Sequence, residues 1–487
     1  MLAEIVAEWL EWIIAIAALA WAIFGLWAAA HALMYKRDPR AALGWSLLCL
    51  LAPYVGPAIY LGFGINRISS SAEKLGHLPA FNPVPGRMDR PAKKEITGPP
   101  AAAGFVSIAN QVAARPLVPG NAVQSYFSGD DAYADMREDI KRAQRSVMLA
   151  SYIFRSDVTG LQFVKALKDA TDRGVSVWVL VDGVGKLYSL PWVTRLLKKA
   201  GVTTATFIPL RLIPPSFHIN LRNHRKLLVV DGEVGYTGGM NIGDHHTSGE
   251  DGTVPVADMH FRLTGPIVGQ LEQVFVEDWH FATKERIVGS SSGPGNSEST
   301  FGATGQAWSR AICDGPDDDL GKIELIIQSA VSAAKRSVRI VTPYFLPMRS
   351  LIAALKSASL RGIEVDIVLP EKSNLRYVDW ATRNLLWELL KWNIRVWYQP
   401  APFAHTKLFI VDETYVHIGS ANIDPRSLRL NFEIAVEIYD DDFGATITSH
   451  IDQMIAKSRA VTLLEVDSRS LPARLRDSIA WVFSPYL

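Results

Sequence analysis

Two stretches of the chain carry the same set of chemically active residues in the same order. His224-Arg225-Lys226 runs through Leu227-Leu228-Val229-Val230 to Asp231 and is followed by Gly238-Gly239-Met240-Asn241. His405-Thr406-Lys407 runs through Leu408-Phe409-Ile410-Val411 to Asp412 and is followed by Gly419-Ser420-Ala421-Asn422. One displacement of 181 residues carries His, Lys, Asp, Gly and Asn of the first stretch onto those of the second. A lone His-x-Lys is usually a solvated pair, but two copies with matching asparagines point to a site. Each begins an apolar, β-branched run, and residues two apart on a strand face the same way, so imidazole and ammonium can address one ligand.

Brought together across a pseudo-twofold axis, two His, two Lys and two Asn around one pocket suit a phosphodiester. Lys226 and Lys407 neutralise its non-bridging oxygens, while Asn241 and Asn422 donate to the same group as charge develops, so the chemistry calls for no metal or cofactor. One imidazole attacks phosphorus and the other protonates the leaving oxygen, then deprotonates the incoming acceptor, a double displacement. An imidazole in either role needs its other ring nitrogen fixed by a partner. Asp258 and Glu433 follow the two asparagines in corresponding strands and are the expected partners, of His224 and His405 respectively. Asp231 and Asp412 end the strands that begin with the histidines. Their carboxylates are expected to tie down backbone amides at a turn rather than touch substrate, and their loss to abolish activity by loosening the site.

The elements around these residues repeat as well. Arg145-Ser146-Val147 opens an apolar strand ending at Phe154, and Arg336-Ser337-Val338 opens one ending at Phe345. A helix-like stretch follows each, then Arg173-Gly174 or Arg361-Gly362, then Val175 to Val181 or Ile363 to Leu369. Strand, helix, strand is a βαβ-like order and predicts an α/β fold of two tandem lobes, each with a largely buried sheet.

Composition limits what else the chain can be. With 50 Lys and Arg against 49 Asp and Glu, there is no basic excess to advertise nucleic-acid binding. The two cysteines, Cys49 and Cys313, are too few for a disulfide framework and read as packing thiols. Trp12 to Met34 is uncharged and meets the ~20 residues a spanning helix needs, while Glu4, Glu8 and Glu11 stand where a cleavable signal would be basic. A second uncharged run, Ala41 to Asn66, is interrupted by Pro53, Gly56 and Pro57, so a span competes with a re-entrant segment. The expected organisation is a transmembrane helical hairpin over 1–68, a linker over 69–104, a first lobe over 105–287, a linker over 288–306, and a second lobe over 307–487. The second lobe ends in an amphipathic segment with Leu475, Ile479, Val482 and Phe483 at helical spacing, suited to a membrane surface or to packing on the protein.

His-x-Lys-(x)4-Asp-(x)6-Gly-[Gly/Ser]-x-Asn in duplicate resembles the phospholipase D superfamily. Leu221 to Lys226, Thr342-Pro343-Tyr344-Phe345-Leu346-Pro347 and Gly419 to Glu433 resemble the bacterial cardiolipin synthases in particular, as does the N-terminal hydrophobic pair. Val256-Ala257 before Asp258 departs from that pattern, where an aromatic residue and an Arg commonly stand. The resemblance implies that two phosphatidylglycerol molecules become cardiolipin and glycerol through a phosphatidyl-histidine, with His224 as nucleophile and His405 as acid and base. It also implies a multi-pass protein of the bacterial inner membrane whose partners are phosphatidylglycerol and other anionic lipids, not nucleic acid; a homo-oligomer is compatible with it. The competing readings are a phospholipase D-type enzyme using serine or water as acceptor, a nuclease of the same superfamily, and a membrane scaffold with a decayed site.

Overall fold

The computed structural model describes residues 2–36, 39–64, 99, 103–113, 115–209, 221–249, 255–287, 302–316 and 320–484. Most of the expected linker 69–104 and residues 288–301 of the second linker lie outside these. The chain divides into two compact units, Met1–Lys74 and Leu75–Leu487.

In the first unit, the helix Leu2–Tyr35 includes a 28-residue stretch, Glu8–Tyr35, long and apolar enough to cross a membrane. At 1.5 Å per residue this stretch is about 42 Å long, against a hydrocarbon core of ~30 Å. The second apolar run departs from the expected hairpin. Its helix, Pro39–Leu51, has 13 residues and is about 20 Å long, too short to cross. It breaks at Ala52 to Val55, resumes at Gly56–Ile59 and ends in a π-helical turn, Tyr60–Gly64. The interruption falls at Pro53, and the run folds back on the first helix instead, burying Ala28, Ala29, Ala32, Cys49 and Tyr60 together. Ser46 bonds the Ala29 carbonyl at 3.1 Å and Tyr60 meets His31 at 2.8 Å.

The second unit is built on fourteen principal strands, seven in each half. In the first half these are β1 (Val118–Tyr126), β2 (Ser146–Ser151), β3 (Ser176–Asp182), β4 (Thr203–Phe207), β5 (Leu227–Val230), β6 (Val234–Gly238) and β7 (His260–Thr264). The second half has β8 (Ala307–Asp314), β9 (Ser337–Val341), β10 (Glu364–Pro370), β11 (Arg395–Gln399), β12 (Leu408–Val411), β13 (Tyr415–Gly419) and β14 (Asn431–Tyr439). They form one sheet in the order β11-β10-β9-β12-β13-β14-β8-β1-β7-β6-β5-β2-β3-β4, which is symmetric about the β8–β1 pair.

The outer strands β2, β3, β4 and β9, β10, β11 run parallel, as the βαβ order predicts. Everything between them is antiparallel, and the two halves share one sheet because β1 and β8 pair edge to edge, Val118 opposite Ser309 and Asn121 opposite Ala307. The junction is anchored by buried Asn121, whose amide donates to the Ala307 carbonyl at 3.1 Å and whose oxygen accepts from Ile267 N–H at 2.7 Å.

The crossover helices Val158–Asp172 and Arg349–Leu360 stop at Gly174 and Gly362, which take φ of +87° and +86°. That left-handed cap explains the repeated Arg-Gly. The helix Ala103–Val112, expected to open the first lobe, instead sends Val106 and Ala109 into the core of the second, beside Ile323, Ile326 and Ile327. Asn110 accepts from buried Arg310 there at 2.7 Å. The parallel strands are apolar on both faces, with Val179 on one side of β3 and Leu180 on the other both buried, because helices cover both sides.

Candidate active site

Both His-x-Lys segments lie just before the central strands β5 and β12. Each is held there by the opposite half. Arg222–Asn223 pairs in parallel with Asn431–Phe432, and the His224 N–H donates to the Phe432 carbonyl at 2.9 Å. Phe403–Ala404 pairs in parallel with Val256–Ala257, and the His405 N–H donates to the Ala257 carbonyl at 2.7 Å. The next residue along each supporting segment is a carboxylate, so each imidazole meets the carboxylate of the other half. His224 Nδ1 is 3.0 Å from Glu433 Oε2, and His405 Nδ1 is 2.7 Å from Asp258 Oδ2. The expected pairing of Asp258 with His224 and Glu433 with His405 is therefore reversed. Adjacency within a lobe suggested it, and the crossed parallel bridges override that adjacency.

The two carboxylates are not equivalent. Glu433 accepts from the hydroxyls of Ser420 and Ser427 and from the Asn431 amide at 3.1 Å besides the imidazole. Burial works to raise its pKa, but His224, Lys226 and Ser420 hold the carboxyl below its ordinary value. Asp258 accepts the Met259 N–H at 2.8 Å, and burial raises its carboxyl against the pull of Lys407 and His246. Gly239 stands where the second copy has Ser420, because a Cβ there would lie 2.2 Å from Asp258 Oδ1.

Both imidazoles are nearly enclosed, their side chains 12% and 14% exposed. Desolvation lowers the pKa of each, with Glu433 working against it at His224 and the neighbouring lysines adding to it at His405. Lys407 acts on His224, and Lys226 and His224 act on His405, so the four groups share one electrostatic environment. Lys226 donates to the His224 carbonyl at 2.7 Å. Lys407 donates to the His405 carbonyl and lies 2.9 and 3.1 Å from its ring nitrogens. Burial brings the two ammonium groups down to about 7 and about 8.

Asn241 and Asn422 are buried nearby. The Asn241 side-chain oxygen accepts from Ile153 N–H at 3.1 Å, whereas Asn422 Oδ1 has no partner among the described residues. Asp231 and Asp412 lie at the far ends of β5 and β12. Asp231 accepts the N–H groups of Gln144, Arg145 and Ser146 at 2.7–2.8 Å, and Asp412 those of Lys335, Arg336 and Ser337 at 2.7–2.9 Å.

Several supporting residues went unread in the sequence. His246 accepts the Asn241 N–H at 3.3 Å, and Ser427 accepts the Asn422 N–H at 3.0 Å. These two are themselves 181 residues apart, so the repeat held the signal. Arg225 donates to the Glu433 carbonyl at 3.0 Å and pairs with buried Asp278, which also accepts from Asn223 at 3.0 Å. Nothing local in the sequence links Asp278 to the motif.

A duplicated α/β lobe that sets one His-x-Lys from each half around a shared dyad defines an enzyme of the phospholipase D-like class. The profile described as "Cardiolipin synthase, PLD-like domain" matches residues 136–279 and 327–455, and that described as "Phospholipase_D-nuclease N-terminal" matches residues 12–64. Cardiolipin synthase A of Pseudomonas fluorescens Pf-5 is 31% identical over 95% of this chain and 96% of its own length. The major cardiolipin synthase of Bacillus subtilis is 31% identical over 93% and 95%. The crystal structure of phosphatidylserine synthase from Haemophilus influenzae shares the fold, with a TM-score of 0.60 at 14% identity over 79% of this chain and all of that one. The chain belongs to the cardiolipin synthase family of phosphatidyltransferases.

Proposed function

We propose that the enzyme joins two phosphatidylglycerol molecules into cardiolipin and glycerol through a covalent intermediate on His224. The observation that carries this reading is the crossed pair of imidazole–carboxylate contacts with a lysine beside each ring. An ionised Glu433 accepts only, so His224 carries its proton on Nδ1 and presents the Nε2 lone pair to phosphorus. As the P–Nε2 bond forms, the bond from phosphorus to the glycerol oxygen breaks, and His405 gives that oxygen a proton. The second phosphatidylglycerol then enters. His405 takes the proton of its terminal hydroxyl, that oxygen attacks phosphorus, and the P–N bond breaks to free His224.

In the free enzyme the charges of Lys226 and Lys407 are balanced by two carboxylates, which leaves both histidines neutral. A phosphodiester anion adds one negative charge, and that charge favours protonation of His405 at the moment an acid is needed. Asp231 and Asp412 position the strands rather than touch the lipid. Asn241 and Asn422 are assigned to the non-bridging oxygens with the two lysines.

The enzyme is assigned to the bacterial inner membrane, with Glu8–Tyr35 as the spanning helix and Pro39–Gly64 as a re-entrant arm. We set the first lobe at about residues 115 to 287 and the second from 307, a division supported by the course of the strands.

Incubating the purified protein with phosphatidylglycerol alone tests the reaction. Cardiolipin and glycerol in equal amounts are expected. Phosphatidic acid in place of cardiolipin would assign water as the acceptor, and absence of turnover would refute the reading.

A further inference from the structure

The mouth of the site is bordered on two sides by apolar side chains exposed to solvent. In the first half, the turn Gly185–Tyr188 and the residues after it present Leu187, Tyr188 and Leu190, which are 45, 50 and 79% exposed. This turn is tied to the His224 segment. The buried Asp182 carboxylate accepts from Val184 and Gly185 N–H at 2.8 and 3.0 Å and from Asn223 N–H at 3.0 Å. Tyr188 meets Tyr152 edge-on at 6.3 Å, and Tyr152 meets the His224 ring at 5.0 Å.

In the second half the border is the C-terminal helix Leu471–Val482. Its inner face places Ala480 and Trp481 against the cluster of Leu346, Val378 and Ala381, together with Tyr344, whose ring is 6.3 Å from that of His405. Its outer face exposes Leu471, Leu475, Ile479 and Val482, at 77, 60, 52 and 64%, in one stripe. The first border thus leads through Tyr152 to His224 and the second through Tyr344 to His405, so each adjoins one of the two imidazoles.

Exposed cations flank both borders. Between Asp182 and Asp231 the sequence has no Asp or Glu, but it has Lys186, Arg195, Lys198 and Lys199. On the C-terminal helix the acid Asp477 is buried and paired with Arg469 and Arg476, while Arg474 is exposed. Apolar side chains flanked by cations are complementary to the headgroup zone of an anionic bilayer, where such helices lie ~5–10 Å deep.

We infer that the 187–190 turn and the outer face of the C-terminal helix dock on an anionic lipid bilayer and hold the mouth of the site at headgroup level. This contact belongs to the catalytic unit itself, is additional to the spanning helix, and rests on the lipid substrate proposed above.

Two paired variants of the full chain test it, Leu187→Asp with Leu190→Asp, and Leu475→Glu with Ile479→Glu. Each is expected to lose about tenfold or more of its transfer rate on phosphatidylglycerol in vesicles while keeping the wild-type rate on short-chain phosphatidylglycerol dispersed as monomers. Wild-type rates in vesicles would overturn the inference, as would equal losses on both substrates. Loss of a dimer from either variant in detergent would assign the surface to a second copy and likewise overturn it. A readout independent of turnover separates this failure from failure of the proposed reaction. Spin labels at Leu190→Cys and Leu475→Cys are expected to gain exposure to oxygen and lose exposure to aqueous nickel in phosphatidylcholine vesicles containing phosphatidylglycerol. Labels that stay in water would sink the docking rim even in an active enzyme.

Discussion

His224, in the first half of the chain, takes its carboxylate partner from the second half, with Glu433 Oε2 3.0 Å from its Nδ1. The reciprocal contact joins His405 to Asp258 at 2.7 Å. Neither half therefore holds a complete imidazole–carboxylate pair, and the double-mutant behaviour of the site follows from this crossing. His224→Ala and Glu433→Gln should show a coupling of about 0.5–3 kcal/mol in the free energy of unfolding, while coupling between His224→Ala and Asp258→Asn should be weaker. Urea unfolding of the wild type, the three single variants and the two doubles checks this. Equal coupling in both cycles would argue against the crossed geometry as the working one.

Either His→Ala change should abolish turnover and leave thermal unfolding within a few degrees of wild type, since neither ring fills a core. Asp231→Ala should behave differently. It leaves three backbone N–H groups without their acceptor and is expected to cost about 1–3 kcal/mol of stability, read by urea unfolding, in addition to activity.

The rate should follow a bell in pH. On the acid side, His224 must be neutral to attack, and because burial lowers its pKa the limb falls below the ordinary value of 6.5. On the alkaline side, Lys226 and Lys407 lose their protons near about 7 and about 8 in the free enzyme, and kcat/KM declines as the anion loses its cations. Stability has the opposite slope in that range. The unfolded chain keeps the Lys226 proton up to about 10.5 while the folded chain sheds it near 7, so the unfolded state binds more protons and stability rises with pH between the two. Lys226→Met should remove that contribution, as measured by melting temperature across the window.

Exchanging the small residues beside the carboxylates tests their asymmetry. Gly239→Ser puts a Cβ into the Asp258 carboxylate and should cost most of the activity, whereas Ser420→Gly removes one hydrogen bond from Glu433 and should cost about tenfold or less. Steady-state rates rank the two, and the reverse order would refute this account.

The residues that meet at the site were legible in the sequence because they are written twice. His224, Lys226, Asn241 and their counterparts share one offset, and each residue type is suited to a phosphodiester. The α/β class was legible for a similar reason, in paired apolar runs closed by Arg-Gly. The partnership of carboxylate and imidazole was not. It depends on two-residue parallel pairings between segments some 150 to 210 residues apart, Arg222 with Asn431 and Phe403 with Val256, which have no local signature. The same holds for Val106 and Ala109, whose apolar spacing marks a helix but not the core that receives it. Val256-Ala257, a departure from the usual residues before Asp258, is the segment that pairs with Phe403–Ala404 to carry His405.

The continuous sheet has a consequence for traffic through the enzyme. With β1 and β8 stitched together and each half reaching into the other at the catalytic strands, the two halves cannot part like jaws. In the proposed sequence of steps, glycerol leaves and the second lipid arrives without any separation of the halves. The side chains fixed around the two imidazoles, rather than a parting of the halves, then select the alcohol that reaches phosphorus.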